Sequence, residues 1–114
     1  MTAQEDAVAH LAKAAEFLEA AELAIDAGLH NAATSNAVIS EINSKSAICL
    51  RLTGRTGTVG NPAEDMAELN ASGDIGQAQC ATFERLLRAS SGSDAGQAIG
   101  WAGQLLAAAK SVMA

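Results

Sequence analysis

Apolar residues near the start of the chain recur every three or four positions, which is the spacing of one face of an α-helix. This predicted face comprises Val8, Leu11, Ala15, Leu18, Ala21 and Ile25. Thr2 and Glu5 form the pattern of an N-terminal capping box, and glycine at position 28 is the usual residue after a last helical turn. The pattern therefore predicts a first helix that ends near Ala27. Its acidic residues are expected in solvent: Glu16, Glu19, Glu22 and Asp26.

A second helix is predicted over Leu29–Thr53, a stretch without glycine or proline. Its expected apolar side comprises Ala33, Ala37, Ile42, Ala47, Ile48 and Leu52, with Val38 and Ile39 beside them. The polar residues of this helix are mostly Ser, Thr and Asn rather than Lys and Glu. Because charged residues are depleted at interface cores, we expect this polar face to be covered by another helix or by a second subunit.

The remaining chain predicts one loop and three further helices. The loop contains Gly54, Gly57 and Gly60, and Pro62 then begins a short helix over Ala63–Asn70. Longer helices are expected over Ile75–Ala89 and Ala95–Met113, the last preceded by a turn, residues 90–94, that supplies an N-cap. The expected core residues of the last helix are Ile99, Leu105, Leu106, Ala109, Val112 and Met113. The predicted fold class is all-α, a single domain over residues 1–114. Its architecture is an antiparallel, up-and-down four-helix bundle with a short extra helix after the glycine-rich loop.

Composition narrows this prediction to closely packed helices. About a quarter of the residues are alanine, whereas Phe17, Phe83 and Trp101 are the only aromatic residues. Alanine has the highest helix propensity, and aromatic and β-branched residues favour strands. Trp101 lies within an apolar run and is expected to anchor the core or an interface.

Charge and cysteine content limit the possible partners and compartments. The formal charge of −6 disfavours binding to a nucleic-acid backbone, so any RNA contact must be local. Cys49 and Cys80 lie in apolar helical sequence without metal-ligand spacing, which favours buried thiols in a reducing cytoplasm. The sequence has neither a leader-like start nor about 18 consecutive apolar residues, so we expect a cytoplasmic protein without membrane contact.

Few residues of the chain suggest chemistry. The sequence lacks a phosphate-binding glycine motif and a His–Cys cluster, and neither a metal nor a cofactor is expected. His10 and His30 are predicted to be surface or boundary residues. Arg51 and Arg55, four positions apart, share one side of the end of the second helix. They could bind a ligand, but basic residues near a helix C-terminus also simply complement the helix dipole.

A family resemblance starts from these arginines. The second helix, through residues 32–38 and 46–50 to Thr53-Gly54-Arg55, resembles the second helix of HEPN domains. The preceding helix is similar as well, over residues 14–18 and 27–33, and the resemblance spans nearly the whole chain. It looks closest to short, single-domain actinobacterial members with the stretch Leu52–Gly57. The resemblance implies an up-and-down four-helix bundle that often dimerises. In active members, an Arg followed by a His forms a metal-independent ribonuclease site, and two copies of this site meet across the dimer.

The resemblance assigns Arg55 to the family arginine and places Pro62 where the histidine is expected, after six intervening residues. Proline has no titratable group, and Asn61 beside it cannot exchange protons at neutral pH. Losing a general acid or base costs about 10²–10⁴-fold in rate. We therefore predict a non-catalytic or weakly active HEPN-like module that is homodimeric or paired with a nucleotidyltransferase-like or other protein partner. It would bind that partner, or RNA or nucleotide phosphate, through Arg55. The other candidate binding residues are Arg51, Asn61 and Asn36.

Two alternatives stay open at this point. One is a working ribonuclease of the toxin type found in toxin–antitoxin pairs, in which Arg55 clamps the scissile phosphate and His30 or water moves the proton. The other is a plain structural or interaction bundle unrelated to RNA, in which Arg55 only caps a helix.

Overall fold

Three α-helices make up the part of the chain that the structure, a computed structural model, describes: residues 3–53 and 94–113. They are α1 (Ala3–Asp26), α2 (His30–Thr53) and α3 (Ala95–Met113), and these residues contain no strand. This confirms the all-α class for the described residues, and the three helices lie within a residue or two of their predicted bounds. The predicted glycine-rich loop and the predicted helices Ala63–Asn70 and Ile75–Ala89 lie outside the described residues.

The turn between α1 and α2 is closed by Gly28, as the sequence predicts. Gly28 has a φ of 78°, in the left-handed region. Its amide donates to the Ile25 carbonyl over 3.0 Å, and the Leu29 amide donates to the Ala24 carbonyl over 2.8 Å. These two bonds form a Schellman motif, which satisfies carbonyls that the helix end would otherwise leave unpaired.

We expect Gly28→Ala to lower the free energy of unfolding by about 1 kcal/mol, because a left-handed conformation costs a residue with a Cβ about 1–2 kcal/mol. Nothing lies within 4 Å of a Cβ added at Gly28, so the loss would report backbone strain and not a clash. Urea unfolding measures the change. Gly100→Ala is the matched control, since Gly100 is helical and equally open. This control should instead stabilise the protein by about 0.5–1 kcal/mol, and equal effects at both positions would contradict the strain argument.

α1 and α2 form an antiparallel hairpin. His10 of α1 lies opposite Asn43 of α2, and the Ser40 hydroxyl donates to the Ala14 carbonyl over 2.7 Å. Later residues of α1 therefore lie beside earlier residues of α2, so the two helices run in opposite directions. This bond satisfies the hydroxyl of Ser40, a fully buried residue, at the contact between the two helices.

α3 runs parallel to α2 and antiparallel to α1. Its first half packs Ala98 and Ala102 against Ala21 and Ala37. Its second half places Leu105 and Ala109 in a cluster, against which Trp101 also packs. The other members of this cluster are Ile48 and Cys49, with Leu11 and Leu52 packed against them. Trp101 is half-buried against this cluster, and the predicted burial of the Cys49 thiol is confirmed.

The N-terminus of α3 is capped by Asp94. Its side-chain oxygen accepts a hydrogen bond from the Gln97 amide over 2.8 Å, and its carbonyl accepts one from the Ala98 amide over 3.0 Å. This arrangement is the N-cap that the sequence predicts. Leu105, Leu106 and Ala109 are buried as expected, while Ile99, Val112 and Met113 are half-buried.

Alanines occupy the most buried positions of α1 and α2. Ala7, Ala14 and Ala21 recur every seven residues on α1 and have no exposed surface, and Glu16, Glu19, Glu22 and Asp26 lie in solvent as predicted. Small side chains allow two helix axes to approach closely, so the buried stripe of α1 is centred on these alanines.

Two predicted core residues are wrong for this reason. Val8 is 53% exposed, because it follows Ala7 and is rotated past the alanine stripe. Ile42 is 47% exposed, with Ile39 beside it at 37%, because α2 turns Ala33, Ala37 and Ala47 toward the core. Both isoleucines lie on the side of α2 away from α1 and α3.

The later part of α2, from Ser44 to Leu50, is covered on all sides. Every residue from Ser44 to Leu50 is buried, which spans almost two helical turns. Glu41 is also fully buried, and Lys45 and Ser46 are each 9% exposed. For this part of α2, the prediction that the polar face is covered is confirmed. None of the helices in the described residues is long and apolar enough to cross a membrane.

Candidate functional site

Arg51 lies in the last turn of α2 with its side chain in solvent. The pairs His10–Asn43 and Ala14–Ser40 set the register of α1 against α2. Extending this register places Arg51 level with the first turn of α1. Because α3 runs parallel to α2, Lys110 in the last turn of α3 lies at the same end of the helices. We call this end, defined by Arg51 and Lys110, the arginine end.

The arginine end carries charges of both signs. Arg51 and Lys110 are exposed cations at the C-termini of two helices, where the helix dipole favours positive charge. Glu5 and Asp6 lie in the first turn of α1, where the dipole favours negative charge. The end is therefore not a broad basic surface, and any anion held there must be recognised by individual side chains.

The other candidate binding residues do not join Arg51 among the described residues. Asn36 is half-buried in the first half of α2. The 15 positions from Asn36 to Arg51 (51 − 36) correspond to about 22 Å along the helix axis at about 1.5 Å per residue. Within one chain the two side chains cannot contact the same phosphate. Arg55 and Asn61 lie outside the described residues, as does Pro62.

Both histidines of the chain lie away from Arg51. His30 is exposed at the start of α2, and the 21 positions to Arg51 (51 − 30) span about 31 Å of helix. His10 lies beside Asn43, which precedes Arg51 by eight positions (51 − 43), or about 12 Å along the axis. Since the sequence contains only these two histidines, the described structure brings no imidazole to the last turn of α2.

His10 forms a fixed polar contact that the sequence did not predict. Its Nδ1 lies 2.9 Å from Oδ1 of Asn43, and Nδ2 of Asn43 donates to the Ile39 carbonyl over 2.9 Å. The amide orientation makes Oδ1 the acceptor, so His10 Nδ1 carries the hydrogen and Nε2 is left as the second ring nitrogen. The contact links α1 to α2 across 33 positions of sequence, and no local pattern indicates such a pair.

Other candidate chemistry is sparse in the described residues. Within residues 3–53 and 94–113, no group of three or more His, Cys, Asp or Glu side chains could hold a metal ion. A shallow hollow of about 240 Å³ lies beside Glu16, Phe17 and Ala20 on α1. Position 17 is far along α1 from its first turn, so this hollow is separate from the arginine end. The arrangement at that end can bind an anion, but it supplies no general acid or base from histidine.

Comparisons with known proteins do not identify a relative. No protein-family model matches the chain, and neither a curated protein nor a solved structure matches it. The predicted membership of the HEPN family therefore continues to rest on the residues around Arg55 and stays a prediction.

Proposed function

We propose that this chain is a homodimeric, HEPN-like four-helix module that binds a phosphate group of RNA or of a nucleotide and does not cleave it efficiently. Arg55 is the main contact in this proposal, and Arg51, four positions earlier in the sequence, is the second. Asn61 would add a hydrogen bond from the loop. The observation that carries the proposal is the exposed Arg51 at the end of α2, with both histidines of the chain held elsewhere.

The charge chemistry of the arginine end supports this function. A guanidinium binds phosphate oxygens through two parallel hydrogen bonds, and arginine keeps its charge at all physiological pH values. The chain has a net charge of −6, so most of its surface repels a phosphate group. Phosphate binding is therefore limited to a local site, such as one formed by two arginines. General acid–base cleavage also needs a group that moves protons, and Pro62 supplies none.

The direction of the helices supports the four-helix part of the proposal. In an up-and-down bundle, the second and the fourth helices point the same way. α3 runs parallel to α2 and lies against both α1 and α2. α3 therefore has the direction expected for the fourth helix, and a third helix over Ile75–Ala89 stays a prediction.

The test is RNA binding and RNA cleavage by the full chain in the presence of EDTA. We expect wild type to bind a short single-stranded RNA without cutting it. Arg55→Ala should weaken binding by about tenfold or more, because a hydrogen-bonded charge contributes about 1.5–3 kcal/mol. Arg51→Ala should weaken it by less. Binding should also fall as salt rises, and the slope should become smaller when one arginine is removed.

Lys13→Ala is the matched control, since Lys13 is an exposed cation in the first half of α1, away from Arg51. Equal binding by wild type, Lys13→Ala and Arg55→Ala would remove the phosphate-binding role. EDTA-resistant cleavage by wild type that Arg55→Ala abolishes would show instead that the chain is a ribonuclease.

A further inference from the structure

The first half of α2 presents an exposed stripe without charge, which we call the α2 stripe. It comprises Asn31, Ala32, Ser35, Ile39 and Ile42, all of them exposed. These positions fall within about 100° of one another around a helix with 3.6 residues per turn. The exposed side of α1, in contrast, carries Glu16, Glu19 and Glu22. The exposed positions of α3 include glycines, glutamines and one alanine, and no large apolar side chain among them is exposed.

Large and small residues are separated along the α2 stripe. Ala32 and Ser35 lie toward its start, and Ile39 and Ile42 toward its end. Ala32 and Ile42 are each five positions from Ala37, and Ser35 and Ile39 are each two positions from it. The stripe is therefore symmetric in position about Ala37. If a second copy of α2 lies antiparallel across a two-fold axis near position 37, each isoleucine faces a small residue of the other copy.

We infer that the α2 stripe binds the α2 stripe of a second copy of this chain, with the two helices antiparallel. This inference rests on the homodimer of the proposed function and names the surface that forms it. A two-fold contact brings the same surface of both copies together, so a charged surface of this acidic chain would repel itself. Within residues 3–53 and 94–113, the α2 stripe is the exposed surface that combines large apolar side chains with the absence of charge.

The arrangement separates the two arginine ends. Arg51 lies 14 positions from the axis (51 − 37), so Arg51 and the corresponding arginine of the second copy lie about 42 Å apart along the helices, at about 1.5 Å per residue. Each copy would then bind its phosphate independently. This differs from the composite site that the HEPN resemblance implies, and it agrees with a protein that binds without cutting.

The first test is the mass of the full chain in solution, measured by sedimentation over a series of concentrations. We expect a reversible dimer whose dissociation constant rises at least tenfold in Ile39→Glu and in Ile42→Glu, because each substitution places a charge in a contact that otherwise carries none. Leu23→Glu is the matched control: Leu23 is 65% exposed on α1, and this variant should dimerise like wild type. All three residues of this comparison are exposed, and circular dichroism should show the same helix content in each variant.

Salt separates this inference from the phosphate site. Rising salt screens the repulsion between two acidic copies, so dimerisation should strengthen while RNA binding weakens.

Monomers at all concentrations would overturn both the inference and the homodimer of the proposed function. A dimer that Ile39→Glu and Ile42→Glu leave intact would overturn the inference alone. Loss of RNA binding in Arg55→Ala with an unchanged dimer would leave the inference standing.

Disulfide crosslinking tests the antiparallel direction without a destabilising charge. In a background with Cys49→Ala and Cys80→Ala, copies carrying Ala32→Cys are mixed with copies carrying Ile42→Cys. The mixture should crosslink, and either variant alone should not, because identical positions lie ten residues or about 15 Å apart along the axis, beyond the reach of a disulfide. Crosslinking of Ile42→Cys with itself would indicate parallel helices and overturn the arrangement.

Discussion

Leu105→Ala is expected to lower the free energy of unfolding by about 3 kcal/mol. Leu105 has no exposed surface and lies in one cluster with Ile48, Cys49 and Ala109. Truncating a buried leucine loses its transfer free energy and leaves a cavity, which together cost about 2–5 kcal/mol. Leu105 has no exposed surface and is packed among residues of all three described helices, so we expect a loss above the lower limit.

Urea unfolding followed by circular dichroism measures this change. The control is Leu23→Ala, which removes the same atoms from a side chain that is 65% exposed and should change stability by no more than about 0.5 kcal/mol. A loss below about 1 kcal/mol in Leu105→Ala would mean that the second half of α3 is not part of the cooperative core.

The helix ends were predictable from sequence because local chemistry determines them. Gly28 ends α1, since only a residue without a Cβ adopts a φ of 78° without strain. Asp94 begins α3, since its side chain replaces a missing carbonyl at the first turn. Each of these signals involves residues within a few positions of each other, so it is visible in the chain alone.

The rotation of each helix about its axis was harder to predict. The sequence pattern favoured Val8 and Ile42 as core residues because they are the larger apolar side chains. The structure buries the neighbouring alanines instead, and Val8 and Ile42 lie about half-exposed. A helix rich in alanine has several acceptable apolar faces, and the face that is buried depends on which partner helix can approach closely.

The candidate site was predictable only in part. The exposure of Arg51 follows from its place in the last turn of α2, and its separation from Asn36 follows from helix geometry alone. The His10–Asn43 contact depends on the register between two helices, which no local pattern fixes. The predicted contacts of Arg55 and Asn61 lie outside the described residues and stay predictions.

Glu41 and Lys45 are the two charged residues in the covered part of α2. Glu41 is fully buried, and Lys45, one turn later, is 9% exposed. A glutamate four positions before a lysine is the favourable orientation for a pair along a helix. Buried charges are tolerated only when they are compensated, so we expect the two side chains to neutralise each other.

We therefore expect Lys45→Met to lower the free energy of unfolding by about 3 kcal/mol or more, since breaking a buried pair leaves an uncompensated carboxylate. Glu41→Met should cost less, because the lysine left behind can extend its ammonium toward solvent. The double variant should return to within about 1 kcal/mol of wild type, as replacement of a buried pair by apolar residues is often neutral.

The double-mutant cycle gives the coupling energy between the two residues. Lys13 and Glu16, three positions apart and both exposed on α1, provide an exposed control, for which the coupling should not exceed about 0.5 kcal/mol. A coupling this small for Glu41 and Lys45 would show that each has a separate partner.

The Glu41–Lys45 pair has two candidate roles: it stabilises the fold, or it fixes the rotation of α2, which carries both Arg51 and the α2 stripe. The double variant distinguishes these two roles. If it stays as stable as wild type but dimerises more weakly, then the charges fix the rotation of α2 and do not stabilise the fold.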